Sequence, residues 1–158
     1  MAADSDSFRK AMSAVPTGVT VVTAMGDESP SGMTANAVVS LSASPPMMLA
    51  CLDREARTLS SVRGSGRFLI NVLAEDQEEI ARRFATKDPE AEKWEEVEWA
   101  IDEGAPRIAG AVAWIRCELK DLIDGGDHLI VTGSVLATEA SDREPLIFHR
   151  GAYRGLGD

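Results

Sequence analysis

The sequence has few of the residues on which metal sites and disulfides depend. It contains two cysteines and two histidines in 158 residues, and neither cysteine belongs to a CxxC pair. A zinc site is therefore not expected. Cys51 and Cys117 each lie in an apolar segment, so we predict two buried, reduced thiols rather than a disulfide. The chain also lacks a run of about 18 apolar residues that could span a membrane as a helix.

Basic residues are scarce as well. Lysine and arginine total 16 against 26 aspartates and glutamates, which gives a formal net charge of −10. This balance argues against binding to nucleic acid or to an anionic membrane surface, because both require a basic face. The first residues are acidic where a signal peptide carries basic and apolar ones, so a cytoplasmic location is expected.

Two common nucleotide-binding motifs and one catalytic motif are missing. There is no GxGxxG or GxxxxGK[ST] loop for a nucleotide, and no serine in a nucleophile elbow. The apolar fraction of 44% and the charged fraction of 27% are ordinary for a globular protein. We therefore expect one domain over residues 1–158 that lacks a familiar nucleotide loop.

Short β-type segments dominate the rest of the chain. Strands are predicted at residues 19–25, 33–42, 47–53, 67–73, 111–120, 128–138, 146–149 and 153–156. Helices are predicted at residues 7–14, 56–62 and 75–86. Residues 87–106 read as a charged loop with Trp94 and Trp99 as its large apolar anchors. Many strands with few helices favour a closed or nearly closed antiparallel barrel.

The strand around Thr34, Ala35 and Asn36 is the first candidate binding segment. Small and polar residues replace an aliphatic face there, which leaves room for a flat polar ring. The amide of Asn36 offers both a donor and an acceptor to the edge of such a ring. The alternative is a half-buried strand whose hydroxyls are satisfied within the protein.

Arg57 and Thr58 form the second candidate, where a strand ends and a helix begins. Free N–H groups, the helix dipole and a guanidinium would together suit a phosphate. The alternative is a solvated arginine beside an ordinary helix start.

His128, after a Gly-Gly-Asp turn, is either a turn histidine or a residue that stacks on a second planar ligand. Tyr153 belongs either to a plain terminal hairpin or to a pocket wall.

Taken together, these segments resemble the flavin reductase family, whose members have an FMN-binding split-barrel fold. The resemblance covers nearly the whole chain and is carried by residues 16–23, 32–40, 45–59, 68–73, 84–85, 126–128 and 148–151. It implies a mainly β (α+β) fold, an antiparallel Greek-key split barrel with a few flanking helices. It also implies an NAD(P)H:flavin oxidoreductase, a homodimer that supplies reduced flavin to a separate monooxygenase.

The resemblance also implies roles for individual residues. The flavin ring would lie along Thr34, Ala35, Asn36 and Ser40 on one side and along Cys51, Leu52 and Asp53 on the other. Its phosphate and tail would contact Ala56, Arg57, Thr58, Phe84 and Ala85. His128 would position the nicotinamide, and Tyr153 would help to hold the dinucleotide.

The chemistry would then be hydride transfer from NADH, or possibly NADPH, to FMN or FAD. NADH is favoured, because no Arg or Lys cluster is evident for a 2′-phosphate. Two alternatives stay open: a split-barrel enzyme that keeps its flavin and acts on its own substrate, and a non-catalytic flavin- or haem-binding module.

Overall fold

A computed structural model of the chain describes residues 1–157; Asp158, the last residue of the predicted domain, lies outside it. The helices are α1 (Ser5–Ser13), α2 (Arg57–Ser65), α3 (Glu78–Phe84) and α4 (Glu90–Trp94). The strands are β1 (Thr17–Gly18), β2 (Thr20–Met25), β3 (Pro30–Ala35), β4 (Val38–Ala43), β5 (Pro46–Asp53), β6 (Arg67–Val72), β7 (Trp99–Asp102), β8 (Ala105–Ile108), β9 (Ala113–Gly125), β10 (His128–Ala140), β11 (Ile147–His149) and β12 (Ala152–Arg154).

Seven strands form one antiparallel sheet in the order β3-β2-β6-β9-β10-β5-β4. Its hydrogen bonding ends at β3 on one side and at β4 on the other, so the barrel is open along one seam. The chain leaves β5, passes through α2 and returns at β6, three places away in the sheet. This crossover gives the arrangement its Greek-key character. The predicted antiparallel split barrel is confirmed.

Strand β2 has two buried faces. Val22 and Ala24 belong to one apolar cluster, together with Phe68 and Ile70 of β6. Val21 belongs to a second cluster, which contains Phe84, Trp94 and Ile108 among others. Because side chains alternate along a strand, β2 contributes to a core on each side of the sheet. The second core fastens α3, α4 and β8 to the barrel beside the candidate site.

The single strand predicted over residues 33–42 is wrong. It divides at Asn36 and Ala37 into β3, which pairs with β2, and β4, which pairs with β5. The apolar pattern continues through this break because the chain steps from one edge of the open seam to the other. The break places Asn36 between the two edges.

The loop predicted over residues 87–106 is also wrong, because it contains α4, β7 and the first half of β8. Trp94 is the anchor: its ring lies 4.8 Å from that of Phe84 and 5.1 Å from that of Trp99. These contacts come from tertiary packing rather than from local sequence periodicity. The segment forms a compact layer over the second core.

Several predicted boundaries shift. Helix α3 is shorter than the predicted 75–86, and Ala85 after it is exposed. Helix α2 extends to Ser65 and ends at Gly66, whose φ of +68° is the left-handed conformation that glycine favours. The β9–β10 turn is tighter than predicted, since β9 continues to Gly125.

Both cysteines are free thiols, but only Cys117 is fully buried; Cys51 is half-buried, contrary to the prediction. Burial raises the pKa of the Cys117 thiol to about 12. Over residues 1–157, no helix combines the length and apolar character needed to cross a membrane. Nor does that part of the chain bring three or more metal-ligating side chains together.

Candidate functional site

A cavity of about 240 Å³ lies where β3, the end of β5 and the start of α2 meet the end of α3 and α4. Its walls combine apolar, hydroxyl and charged side chains. They come from Met33, Thr34, Asp53, Glu55, Ala56, Arg57, Thr58, Phe84, Ala85, Thr86, Lys87, Glu90 and Lys93. The site is therefore assembled from four separated stretches of the chain.

Seven of the predicted cofactor-binding residues line this cavity: Thr34, Asp53, Ala56, Arg57, Thr58, Phe84 and Ala85. They include all five that were expected on the phosphate and tail side of a flavin. Thr34 is held in place by its hydroxyl, which donates to the Ala81 carbonyl of α3 at 2.6 Å. Helix α2 begins at the cavity without a side-chain cap, which leaves its first N–H groups available.

Apart from Thr34 and Asp53, the residues predicted around the flavin ring do not line the cavity. The Cys51 N–H donates to the Ala37 carbonyl at 2.9 Å, which joins the end of β5 to the break between β3 and β4. Cys51 and Asn36 are half-buried there, and Ser40 is exposed on β4. The side chains of Ala35 and Leu52 are buried in the core, so only their backbone could meet a ligand.

The side-chain oxygen of Asn36, Oδ1, is buried and lacks a hydrogen-bond partner within residues 1–157. A buried acceptor left unpaired costs free energy, so such atoms often mark a site that a ligand completes. An N–H on the edge of a flavin ring is a suitable donor. This is the observation of the structure that best fits a bound flavin.

His128 lies near the cavity without lining it. In the β5–β10 pairing it is directly opposite Asp53, which does line the cavity. Its Nδ1 lies 2.7 Å from Asp127 Oδ1, and this hydrogen bond lowers the pKa of the Asp127 carboxyl. Arg54 braces the same turn by donating to the Gly126 carbonyl and to Asp124, each at 2.6 Å. This role of Arg54 was not predicted from the sequence.

Tyr153 is on β12 and faces the second core, which also contains Phe84. The guanidinium carbon of Arg82 lies 4.9 Å from the centre of its ring. Burial raises the pKa of the Tyr153 hydroxyl. It is not among the residues that line the cavity, and its dinucleotide role stays a prediction.

Two charged residues of the cavity, Glu90 and Lys93, were also missed. They project from α4, inside the segment that was predicted to be a loop. Glu90 Oε1 lies 3.3 Å from Arg57 Nε and 3.5 Å from Lys93 Nζ. An i, i+3 spacing of opposite charges is a weak helix signal that could have pointed to α4.

Comparison with known proteins identifies the family of this chain. The family described as "Flavin reductase like domain" matches residues 12–157. The chain belongs to this family. A curated member named an NADH-dependent FAD reductase, from Streptomyces globisporus, is 41% identical over 156 residues, which is 96% of this chain and 85% of that protein. A reductase subunit of a flavin-dependent monooxygenase from Mycobacterium tuberculosis is 36% identical, over 97% of this chain and 83% of its own length.

Solved structures of the flavin reductase family have the same architecture. The NADH:FAD oxidoreductase of Streptomyces globisporus C-1027, solved with NAD and FAD fragments, superposes with a TM-score of 0.89 at 40% identity. The alignment covers 96% of this chain and 92% of that one. The flavin reductase component of a bacterial two-component tryptophan halogenase gives a TM-score of 0.89 at 41% identity, over 98% and 99% of the two chains. The predicted family is confirmed.

Proposed function

We propose that this flavin reductase family protein transfers hydride from NADH to a flavin that binds in the cavity and along the adjoining surface. One observation carries the proposal. The cavity brings Thr34 of β3, Arg57 and Thr58 of α2, and Phe84 and Ala85 at the end of α3 to one place. These are residues that the flavin reductase pattern assigns to a flavin. The relatives named NADH-dependent FAD reductase and NADH:FAD oxidoreductase support the same activity.

The protein's contribution would be binding and orientation. When bound, a flavin accepts hydride from a nicotinamide without requiring a protein nucleophile. Arg57 and the start of α2 would bind the phosphate, and the Asn36 side-chain oxygen would accept a hydrogen bond from the ring edge. Phe84 provides an apolar wall that excludes water. Thr34, held by the Ala81 carbonyl, would lie along the flavin ring.

The direct test is NADH oxidation in the presence of FMN, FAD or riboflavin, followed at the nicotinamide absorbance band. We expect oxidation that depends on added flavin and is faster with NADH than with NADPH. Tightly co-purifying flavin with slow reduction of free flavin would instead favour an enzyme that acts on its own substrate. No NADH oxidation with any flavin would contradict the proposal and favour a binding module.

His128 is proposed to position the nicotinamide. His128→Ala is expected to raise the KM for NADH by about two- to tenfold, because an aromatic contact is worth roughly 0.5–1.5 kcal/mol. The KM for flavin should change little. The matched control is His149→Ala, which removes the second histidine of the chain; His149 lies on β11. Unchanged NADH kinetics in His128→Ala would refute the role.

Cys51 gives an independent readout of flavin binding. At pH 8 a thiol reagent should modify the half-buried Cys51, whereas Cys117, with a pKa of about 12 and a buried side chain, stays protonated and unreactive until the protein unfolds. Saturating FMN should slow the modification of Cys51 several-fold if the ring covers this surface. An unchanged rate with bound FMN would place the ring elsewhere.

A dimer and a partner enzyme complete the proposal. Val39 and Leu41 are exposed on β4, the edge strand of the sheet, and an exposed apolar edge is generally covered by another chain. We infer a homodimer, which light scattering tests.

A separate monooxygenase would receive the reduced flavin, as the reductase subunits among the relatives suggest. The two unpaired thiols favour a cytoplasmic location.

A further inference from the structure

The carboxylate of Glu90 has three partners. Its Oε2 accepts a hydrogen bond from the Gly32 N–H at 3.1 Å, while Oε1 lies 3.3 Å from Arg57 Nε and 3.5 Å from Lys93 Nζ. The side chains of Glu90 and Lys93 are only 11% and 6% exposed, whereas that of Arg57 is 52% exposed. One nearly buried carboxylate therefore pairs with two cations at the cavity wall.

The two halves of this cluster have different roles. Lys93 Nζ also lies 3.4 Å from the Gly32 carbonyl. Lys93 and Glu90 therefore bind the carbonyl and the N–H of Gly32, and these two contacts hold α4 against β3. Arg57 does not depend on Glu90 for its position, because its guanidinium also donates to the Asp88 and Lys87 carbonyls. About half of the Arg57 side chain faces solvent. The Arg57–Glu90 contact is the part of the cluster that a ligand can replace.

We propose that Glu90 is an internal counter-ion that competes with the flavin phosphate for Arg57. This inference rests on the proposed function. When the phosphate arrives, Arg57 exchanges the carboxylate for a phosphate oxygen, and Glu90 remains paired with Lys93 and the Gly32 N–H. Helix α4 therefore stays in place during the exchange. The competition weakens binding of phosphorylated flavins, which suits a protein that must release the flavin it has reduced.

The charges around the cavity are consistent with this exchange. Three cationic side chains line the cavity together with three carboxylates, so the wall is not strongly positive without a ligand: they are Arg57, Lys87 and Lys93, and Asp53, Glu55 and Glu90. A phosphate that replaces the carboxylate at Arg57 adds negative charge near Lys93, whose side chain is almost completely buried. Charge pairs are stronger in such surroundings than in water.

The test compares FMN with riboflavin, which has the same ring and lacks the phosphate. Glu90→Gln keeps the hydrogen bond from the Gly32 N–H but removes the charge. We expect the Kd for FMN, measured by calorimetry, to fall about five-fold or more, while the Kd for riboflavin changes less than two-fold. Glu92→Gln, an exposed position on the same helix, makes the same charge change and should leave both values unchanged. Equal changes for FMN and riboflavin would overturn the proposal.

Arg57→Gln provides a second route that does not depend on the buried pair. It should bring the FMN and riboflavin affinities close together, and Glu90→Gln should then have no further effect in the double variant. An FMN preference in Arg57→Gln as large as that of the unaltered protein would contradict the exchange. If NADH reduces both flavins but Glu90→Gln leaves their affinity ratio unchanged, the inference fails alone. If neither flavin is reduced, the proposed function fails.

Discussion

Asn71→Leu, which keeps the branched shape of the side chain but removes its polar atoms, is expected to lower the free energy of unfolding by about 3–5 kcal/mol. Asn71 is fully buried in β6. Its amide donates to the Val21 carbonyl at 3.0 Å and to Thr23 Oγ1 at 3.1 Å, and its Oδ1 accepts from the Ile108 N–H at 2.8 Å. A leucine would leave the buried Ile108 N–H without its acceptor, and each orphaned group costs about 1–3 kcal/mol.

The measurement is chemical denaturation, with Thr138→Val on the exposed part of β10 as a control that should change stability by less than about 0.5 kcal/mol. The loss should also be local. Hydrogen exchange should accelerate most at Ile108 and along the β7–β8 hairpin, because Asn71 attaches that hairpin to the barrel. Stability within 1 kcal/mol of the wild type would mean that this network contributes little.

The same network explains why residues 87–106 were predicted as a loop. The hairpin of β7 and β8 is fixed by groups on distant strands: Asn71 and Thr23 of the barrel bind the Ile108 N–H and the Pro106 carbonyl. Arg116 of β9 adds an ion pair to Asp102. No pattern within the segment itself records these partners. Local periodicity therefore found the barrel strands, whose alternation is strong, and missed the hairpin.

The candidate site shows the same division. Arg57 and Thr58 were predicted because the end of a strand and the start of a helix follow one another in sequence, and the phosphate preference of that junction is local physics. The resemblance to the flavin reductases supplied Phe84 and Ala85. Glu90 and Lys93 escaped both routes, because only tertiary packing of α4 against Gly32 brings them to the cavity.

Gly32→Ala is expected to disturb both stability and flavin binding. A Cβ on Gly32 would lie 2.7 Å from Cε1 and 2.9 Å from Cδ1 of Phe84, well inside contact distance. Phe84 cannot easily retreat, because it is 1% exposed and its ring packs edge-on against Trp94 at 4.8 Å. Overpacking of this kind costs about 1–3 kcal/mol. Thermal denaturation should show that loss, and FMN affinity should fall at least tenfold as the cavity wall moves.

Two further variants separate crowding at Phe84 from a general effect of alanine in a strand. Gly18→Ala, on β1, adds a methyl with nothing within 4 Å and should be neutral or slightly stabilising. Gly32→Ala combined with Phe84→Leu should lose less stability than the two single losses added together, since the smaller side chain makes room for the new Cβ. Strict additivity would mean that the clash is relieved elsewhere. In that case the fall in FMN affinity could not be assigned to displacement of Phe84, and the close approach of β3 to α3 would not be what shapes the cavity.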